Sequence, residues 1–276
     1  MKILIIGGFG QLGRALQATL GEYDVSSVDL PEVDITDQES VDSEMEKVLP
    51  QIVIHCAAYT DVEGAAKNPD MAYQVNALGS LHVAKSCAQF KAAMVHLSTN
   101  EVFSGEDPRG YEEWRPLNPA NPYGRSKAAG EEFVRQTLSE YYIVRTAWLY
   151  AAGGGNFIHA ILKRARKGEG VRVVVDEVGN PTYALDLAGA IRQLILTGEF
   201  GIYHFTNAGA CSRWAFAREI LKQAELNDVP ILPILARDYP RASIPPTYGA
   251  LLNTAGADLG IRLRPWKEAL AAYLRN

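Results

Sequence analysis

Tyr123 and Lys127, four positions apart, carry the first chemistry this sequence could perform. They follow Asn121-Pro122, where a helix is expected to begin, and the spacing sets both on one helical face a turn apart. A phenol ordinarily ionises near pH ~10, too high for ready proton exchange at neutrality. The Lys127 ammonium is expected to stabilise the phenolate and draw that value down, making Tyr123 a proton donor toward a substrate oxygen. Ser98-Thr99-Asn100-Glu101 ends a strand-like run upstream. Ligands of parallel α/β sheets bind outside the carboxyl ends of strands, so Thr99 could offer its hydroxyl to the same oxygen. By itself a Tyr-x-x-x-Lys pair is weak evidence, and a strand-end cap is the plainer alternative for Thr99, although its place over the site favours the functional role.

A second constellation is Gly7-Gly8-Phe9-Gly10-Gln11-Leu12-Gly13, a Gly-x-x-Gly-x-x-Gly run between a first strand and a first helix. Gly7 allows a tight turn, Gly10 lets the backbone approach a pyrophosphate, and Gly13 lets the helix lie close to the strand. Glycine also simply makes turns, so context decides. Asp29 supplies it, standing at the end of the second strand. A carboxylate there accepts hydrogen bonds from an adenosine ribose and repels a 2′-phosphate, which favours NADH and leaves NADPH open. A solvated loop residue is the plainer reading of Asp29.

Elements that would position these groups alternate regularly. Ile3–Ile6, Val25–Val28, Ile52–His55, Met94–Leu97 and Tyr142–Arg145 read as buried strands, separated by helical spacing near 11–20, 38–48, 70–89 and 122–138. Five strands with four crossovers predict an α/β fold, a Rossmann-like doubly wound parallel sheet with right-handed connections. After Trp148 the pattern loosens. The run 151–155 reads as a flexible break, followed by a basic helical stretch Phe157–Lys167, a strand Val171–Val175 and a turn at Gly179-Asn180-Pro181. A helix from about Leu185 to Leu196, proline-rich pieces at 230–246 and a last helix from about Pro265 complete the chain. The expected division is a dinucleotide-binding domain over 1–147, with parts of about 183–206 returning to it. A smaller, interwoven C-terminal substrate-binding lobe takes most of 148–276.

Composition narrows the classes. The 276 residues are 47% hydrophobic and 21% charged, as in an ordinary globular protein. A net charge of −5 argues against a nucleic-acid binder, and no apolar run reaches membrane-spanning length. The opening apolar run breaks at Gly7-Gly8, so no secretory segment is expected. Cys56, Cys87 and Cys211 lack a Cys-x-x-Cys pair and read as small apolar fillers in a reducing, cytoplasmic setting. No His-Glu-x-x-His joins the five histidines, and no metal is expected.

These motifs together resemble the dTDP-4-dehydrorhamnose reductase family of extended short-chain dehydrogenases/reductases, nearly end to end. The resemblance includes Gly7–Gly13, Asp34-Ile35-Thr36-Asp37, Ala57-Ala58-Tyr59-Thr60, Ser98–Phe103, Tyr123–Lys127 with Gly130-Glu131, Arg145–Trp148 and Gly179–Thr182. It implies reduction of the C4 keto group of a nucleotide sugar, most specifically dTDP-4-dehydro-β-L-rhamnose, by NADH or NADPH. It also implies Tyr123 as proton donor, Lys127 as its partner and Thr99 as the third hydroxyl. Gly7, Phe9, Gly10, Gln11, Leu12, Gly13, Asp29, Asp34, Ile35, Ala57, Ala58 and Tyr59 would line the cofactor, together with Tyr123 and Lys127. Thr99, Asn100, Glu101, Trp148 and Asn156 would face the sugar. A homodimer is left open.

Three departures from the family pattern stand out. Thr99-Asn100-Glu101 replaces a common Thr-Asp-Tyr, Val62-Glu63-Gly64-Ala65-Ala66 replaces Val-Asp-x-Ala-Glu, and Pro245-Pro246 replaces Arg-Pro. The glutamates that some members associate with magnesium have no match here. A sugar-nucleotide 4,6-dehydratase or epimerase is the alternative, with Glu101 as base, although Asn100 stands where a dehydratase needs an acid. A non-catalytic dinucleotide-binding regulatory subunit, like the β subunit of methionine adenosyltransferase, is another. Glu101 is expected to bind sugar hydroxyls, since simple carbonyl reduction deprotonates no carbon.

Overall fold

A computed structural model describes residues 1–153 and 155–275; within the glycine run expected as a flexible break, Gly154 lies outside the described residues. The first half follows the expected alternation: β1 (Lys2–Ile6), α1 (Gln11–Thr19), β2 (Asp24–Val28), α2 (Gln38–Val48), β3 (Ile52–His55), α3 (Val62–Lys67), α4 (Pro69–Tyr73), α5 (Gly79–Phe90), β4 (Ala93–Thr99), α6 (Pro122–Thr137) and β5 (Tyr141–Thr146). The second half adds β6 (Leu149–Tyr150), α7 (Phe157–Ala165), β7 (Val171–Val174), β8 (Val178–Gly179), β9 (Thr182–Tyr183), α8 (Ala184–Leu194), β10 (Gly201–His204), β11 (Cys211–Ser212), α9 (Arg213–Gln223), β12 (Ile231–Ile234), α10 (Ala255–Asp258) and α11 (Trp266–Arg275).

The main sheet has six parallel strands in the order β2-β1-β3-β4-β5-β10. A sixth strand joins the five read from the first half: Gly201–His204 is short, opens on a glycine, and shows its strand character only in pairing with β5. Alternate residues of β1 serve opposite faces. Ile3 and Ile5 pack with Leu16 of α1 and with Leu187 and Ile191 of α8. Leu4 and Ile6 pack with Val41 and Met45 of α2, Val83 of α5 and Val134 of α6. Helices therefore cover both faces, which is why the strands read as unbroken apolar runs. Strand order reverses between β1 and β3, and the crevice this opens at their carboxyl ends is where such sheets take ligands.

The helical stretch expected over 70–89 is interrupted. Residues 74–78 widen into a π-helical turn between α4 and α5, a feature common at functional sites.

The second lobe has its own core of Tyr150, Ile158, Phe216, Trp266 and Leu270. Three two-stranded ribbons tie it together, β6 with β9, β7 with β12 and β8 with β11. The proline-rich piece 230–246 contains one of these strands: β12 pairs with β7 in parallel, and Pro233 sits in its outer strand.

Candidate active site

The glycine run folds as a cradle at the end of β1. Gly7 takes a φ of +83°, and a Cβ on it would lie 2.4 Å from the Ala57 nitrogen; on Gly13, a Cβ would lie 2.4 Å from the carbonyl oxygens of Gly7 and Gly8. Gly10 caps α1 and leaves its first-turn amides without a side-chain partner, the arrangement that holds an anion. Asp29 fastens the rim: its Oδ2 accepts the Phe9 N–H at 3.0 Å and its Oδ1 the Leu30 N–H at 3.0 Å. Each oxygen keeps acceptor capacity for a ribose hydroxyl. Arg14 bends back to donate from Nε to the Phe9 carbonyl at 2.8 Å. Phe9 itself is half exposed, whereas Leu12 points into the core. The Gln11 Oε1 is buried without a partner.

Along the crevice, Ala57 N–H donates to the Ile6 carbonyl at 3.0 Å, and Tyr59 is clamped by a residue that the sequence did not single out. Buried Asn76, in the π-helical turn, accepts the Tyr59 N–H at 2.7 Å and donates to the Tyr59 carbonyl at 3.1 Å and to Ser126 Oγ at 3.0 Å. It thereby fixes the segment 57–59 against α6. Ala58 lies in the same partly buried segment. Asp34 accepts from Thr36 N–H at 2.9 Å and Thr36 Oγ1 at 2.7 Å in a surface turn. Ile35 sends its side chain into the core. Its carbonyl oxygen accepts from His82 Nδ1 at 2.9 Å.

Tyr123 sits in the first turn of α6. Asn121 caps that helix, accepting the Gly124 N–H at 2.8 Å, and Pro122 takes the favoured first helical position. A Cβ on Gly124 would lie 2.1 Å from the Glu101 carbonyl oxygen, so only glycine lets this turn seat on the end of β4. That contact brings Tyr123 to Thr99, whose hydroxyl hydrogen-bonds the phenol. The phenol's pKa is raised, by burial first and by the negative charge of Glu101 second, with Thr99 opposing. This reverses the expected depression by Lys127: spacing sets the two residues on one face, but desolvation and the Glu101 charge decide the direction. The result is a phenol that holds its proton at neutral pH.

Lys127 is 4% exposed, and burial pulls its pKa down to about 8. The carboxylate of Glu131, one turn further on α6, opposes that shift and supports the ammonium. Glu131 is in turn held in a buried network: Arg145 Nη2 lies 2.6 Å from its Oε2, and Ser98 Oγ donates to its Oε1 at 2.5 Å.

Glu101, Asn100 and Glu63 meet the second lobe along one seam. Asn121 Nδ2 donates to Glu101 Oε2 at 2.6 Å and to the Ile244 carbonyl at 3.1 Å. Asn100 Nδ2 donates to the Gly249 carbonyl at 3.0 Å. Glu63 accepts the backbone N–H groups of Ala242 at 2.7 Å and Ser243 at 3.2 Å. Two of the departures from the family pattern, at 62–66 and 100–101, therefore contact the segment 242–249 that contains the third, 245–246. Burial raises the Glu101 pKa, while Asn121, Arg213 and Arg241 oppose the rise.

Trp148 follows β5 with a φ of +44°, strained for a bulky residue. Its indole packs on Gly179, and the Arg213 guanidinium stacks over the ring at 3.7 Å. Asn156 is committed locally: it accepts the His159 N–H at 3.0 Å as the cap of α7 and donates to the Ala151 carbonyl at 2.8 Å. Among the described residues, no cluster of three or more His, Cys, Asp or Glu side chains is placed to hold a metal ion.

Residues 1–276 match the family model for the RmlD substrate binding domain. The chain belongs to that family. It is 38% identical over 277 residues to the spore coat polysaccharide biosynthesis protein SpsK of Bacillus subtilis (strain 168), covering 100% of this chain and 97% of that one. It is 38% identical over 284 residues to the dTDP-4-dehydrorhamnose reductase of Mycobacterium tuberculosis (strain CDC 1551 / Oshkosh), covering 99% of this chain and 92% of that enzyme. Its fold superposes with a TM-score of 0.96 and 38% identity on the crystal structure of dTDP-4-dehydrorhamnose reductase from Bacillus anthracis str. Ames in complex with NADP, covering 99% and 98% of the two chains. The family resemblance and the Rossmann-like fold read from the motifs are borne out.

Proposed function

We propose that this chain is an NAD(P)H-dependent oxidoreductase that reduces the C4 keto group of dTDP-4-dehydro-β-L-rhamnose to give dTDP-L-rhamnose. One observation carries the reading: the Tyr123 phenol, hydrogen-bonded to Thr99 at the carboxyl end of β4, shares a crevice with a dinucleotide cradle in a chain of this family. The nicotinamide cofactor, when bound, supplies the hydride. Gly7, Gly10 and Gly13 leave room for its pyrophosphate, and segment 57–59 borders its path. Asp29 meets the adenosine ribose; its charge opposes a 2′-phosphate and tips the choice toward NADH, with NADPH still accepted.

Tyr123 donates its Oη proton to the C4 oxygen as negative charge develops there. Thr99 Oγ1 hydrogen-bonds that oxygen and holds it in line. Lys127 lends positive charge behind the phenol, and Glu131 keeps that charge in place. Glu101 binds sugar hydroxyls, and the lobe formed mainly by 148–276 closes over the sugar with Trp148. The chain works in the cytoplasm without a metal, and a homodimer is compatible with this role. Among the described residues, no helix is long and apolar enough to cross a membrane.

The test is loss of dihydronicotinamide absorbance with dTDP-4-dehydro-L-rhamnose in D2O, with each cofactor in turn. The expected result is stoichiometric oxidation and a rhamnosyl product with no deuterium at C5. Enzyme-dependent deuterium at C5, abolished by Glu101→Gln, would instead make Glu101 a base. No oxidation of either cofactor, with the dinucleotide bound, would remove the reductase assignment.

A further inference from the structure

At the seam between the lobes, the Arg213 guanidinium makes no side-chain hydrogen bond among the described residues. Arg213 opens α9 in the second lobe, and its side chain is 27% exposed. Two aromatic rings fix its plane: the guanidinium carbon lies 3.7 Å from the Trp148 centroid and 5.4 Å from that of Phe157. Stacking of this kind leaves the in-plane N–H donors free to point away from the rings. Among the described residues, none of those donors makes a hydrogen bond. The nearest carboxylate, Glu177, stands 4.0 Å from Nε. Glu177 is already engaged by Arg241, with which it forms a tight ion pair.

Charge around Arg213 is otherwise accounted for. Glu101 faces it from the end of β4, but that carboxylate is already bonded by Asn121. Glu63 is occupied by the amides of Ala242 and Ser243. Burial pulls the Arg213 pKa down to about 10, still charged at neutral pH and poorly compensated. A rigid, charged fork without a side-chain hydrogen bond, partly exposed at the seam between two lobes, is a ready site for a planar pair of anionic oxygens.

We propose that Arg213 binds the diphosphate of the nucleotide sugar, gripping it in a fork-like pair of hydrogen bonds while Trp148 and Phe157 hold the guanidinium flat. This inference rests on the reductase reading for the identity of its ligand, since a nucleoside-diphosphate sugar brings a diphosphate into this cleft next to the sugar. The cofactor's own diphosphate belongs to the glycine cradle at the end of β1, so the two anions have separate receptors. Arg241, tied through Nη2 to Glu177 across the same seam, adds positive charge but is already held in an ion pair.

The test is titration calorimetry on the full chain saturated with NADP⁺, using dTDP, dTMP and thymidine as probes, together with steady-state kinetics. Arg213→Gln should weaken dTDP by about 10- to 100-fold, the loss of a charged hydrogen-bond pair, and thymidine by less than about 2-fold. Arg213→Lys, which keeps the charge without the fork, should fall between. KM for the nucleotide sugar should rise in parallel with kcat changing less than about 3-fold, because the diphosphate is held equally in ground and transition states. Equal losses for dTDP and thymidine, or none for dTDP, would overturn the assignment while leaving the reductase reading intact. Wild-type binding of dTDP that Arg213→Gln abolishes, with no sugar reduced, would uphold Arg213 and remove the reductase reading. Should Arg213→Gln fail to fold, the comparison of Arg213→Lys with wild type on dTDP against thymidine decides the same question.

Discussion

The cradle at residues 7–13 and the seam around Glu101 lie in one crevice but are built in opposite ways. The cradle is nearly all local: one strand, one turn and one helix start, closed by Asp29 only 20 residues on. Its specificity lies in the absence of side chains, which lets backbone amides meet an anion. The seam is assembled from far along the chain, with Glu63 reaching Ala242 and Asn100 reaching Gly249. There side chains make the contacts: Glu63 and Asn100 take backbone partners from the other lobe, while Glu101 is held by Asn121. A cofactor shared by many enzymes can be met by a short fixed motif; a particular sugar nucleotide requires a surface composed from two lobes.

Predictions test this division in order of size. Tyr123→Phe removes the proton donor and should lower kcat by about 10²–10⁴, with dinucleotide affinity nearly unchanged. Rapid-mixing turnover and cofactor titration measure both; wild-type kcat would take Tyr123 out of the chemistry. Glu131→Gln strikes the support beneath it. Arg145 is left as a buried charge with a weaker partner, which should destabilise the fold by roughly 3–5 kcal/mol, read from urea midpoints. The pH profile gives a second readout. Lys127, with a pKa of about 8, loses its ammonium as pH rises, so kcat/KM should fall on that alkaline limb. Removing the Glu131 charge withdraws support from the ammonium, so the limb should move to lower pH. A limb that stays put would confine Glu131 to stability.

What the sequence disclosed follows the same division. Tyr123, Lys127 and the glycines were legible because a fixed spacing on a known element determines which groups are neighbours. The sign of the Tyr123 shift was not, because spacing says nothing of how far a phenol is desolvated or that Glu101 lies beside it. Asn76 escaped notice because a polar residue within a helical stretch looks solvated until the π-helical turn buries it against Tyr59. The Glu63 contact spans 179 positions, beyond any local pattern. Its only trace was a departure from the family motif.

Asp29→Ala probes the cradle's own selectivity. Loss of the ribose contact should weaken NADH by about 10-fold, the scale of a hydrogen bond to a charged group. NADPH should suffer less, about 2- to 3-fold, since repulsion of its 2′-phosphate disappears while the Phe9 and Leu30 amides lose their acceptor. Fluorescence titration with each reduced cofactor separates the two. Equal losses would mean that Asp29 serves only to fasten the rim.

The smallest effect is expected at Asn156, which the sequence placed beside the sugar and whose side chain is engaged with its own helix. Its Oδ1 caps α7 through the His159 N–H, and its Nδ2 binds the Ala151 carbonyl at 2.8 Å and reaches the Tyr273 hydroxyl at 3.4 Å. Both ends of the amide are thus occupied by the second lobe itself, and a sugar hydroxyl would have to displace one of them. If capping is its role, Asn156→Ala should cost about 1 kcal/mol of stability, and Asn156→Ser, which still accepts at a helix start, should recover most of it. KM for the nucleotide sugar should move less than about 2-fold in both variants, since neither removes a substrate contact. Thermal melts read the first quantity and initial rates the second. A KM raised about 10-fold with an unchanged melt would return Asn156 to the sugar site, and would mean that part of the sugar surface can be read from local sequence after all.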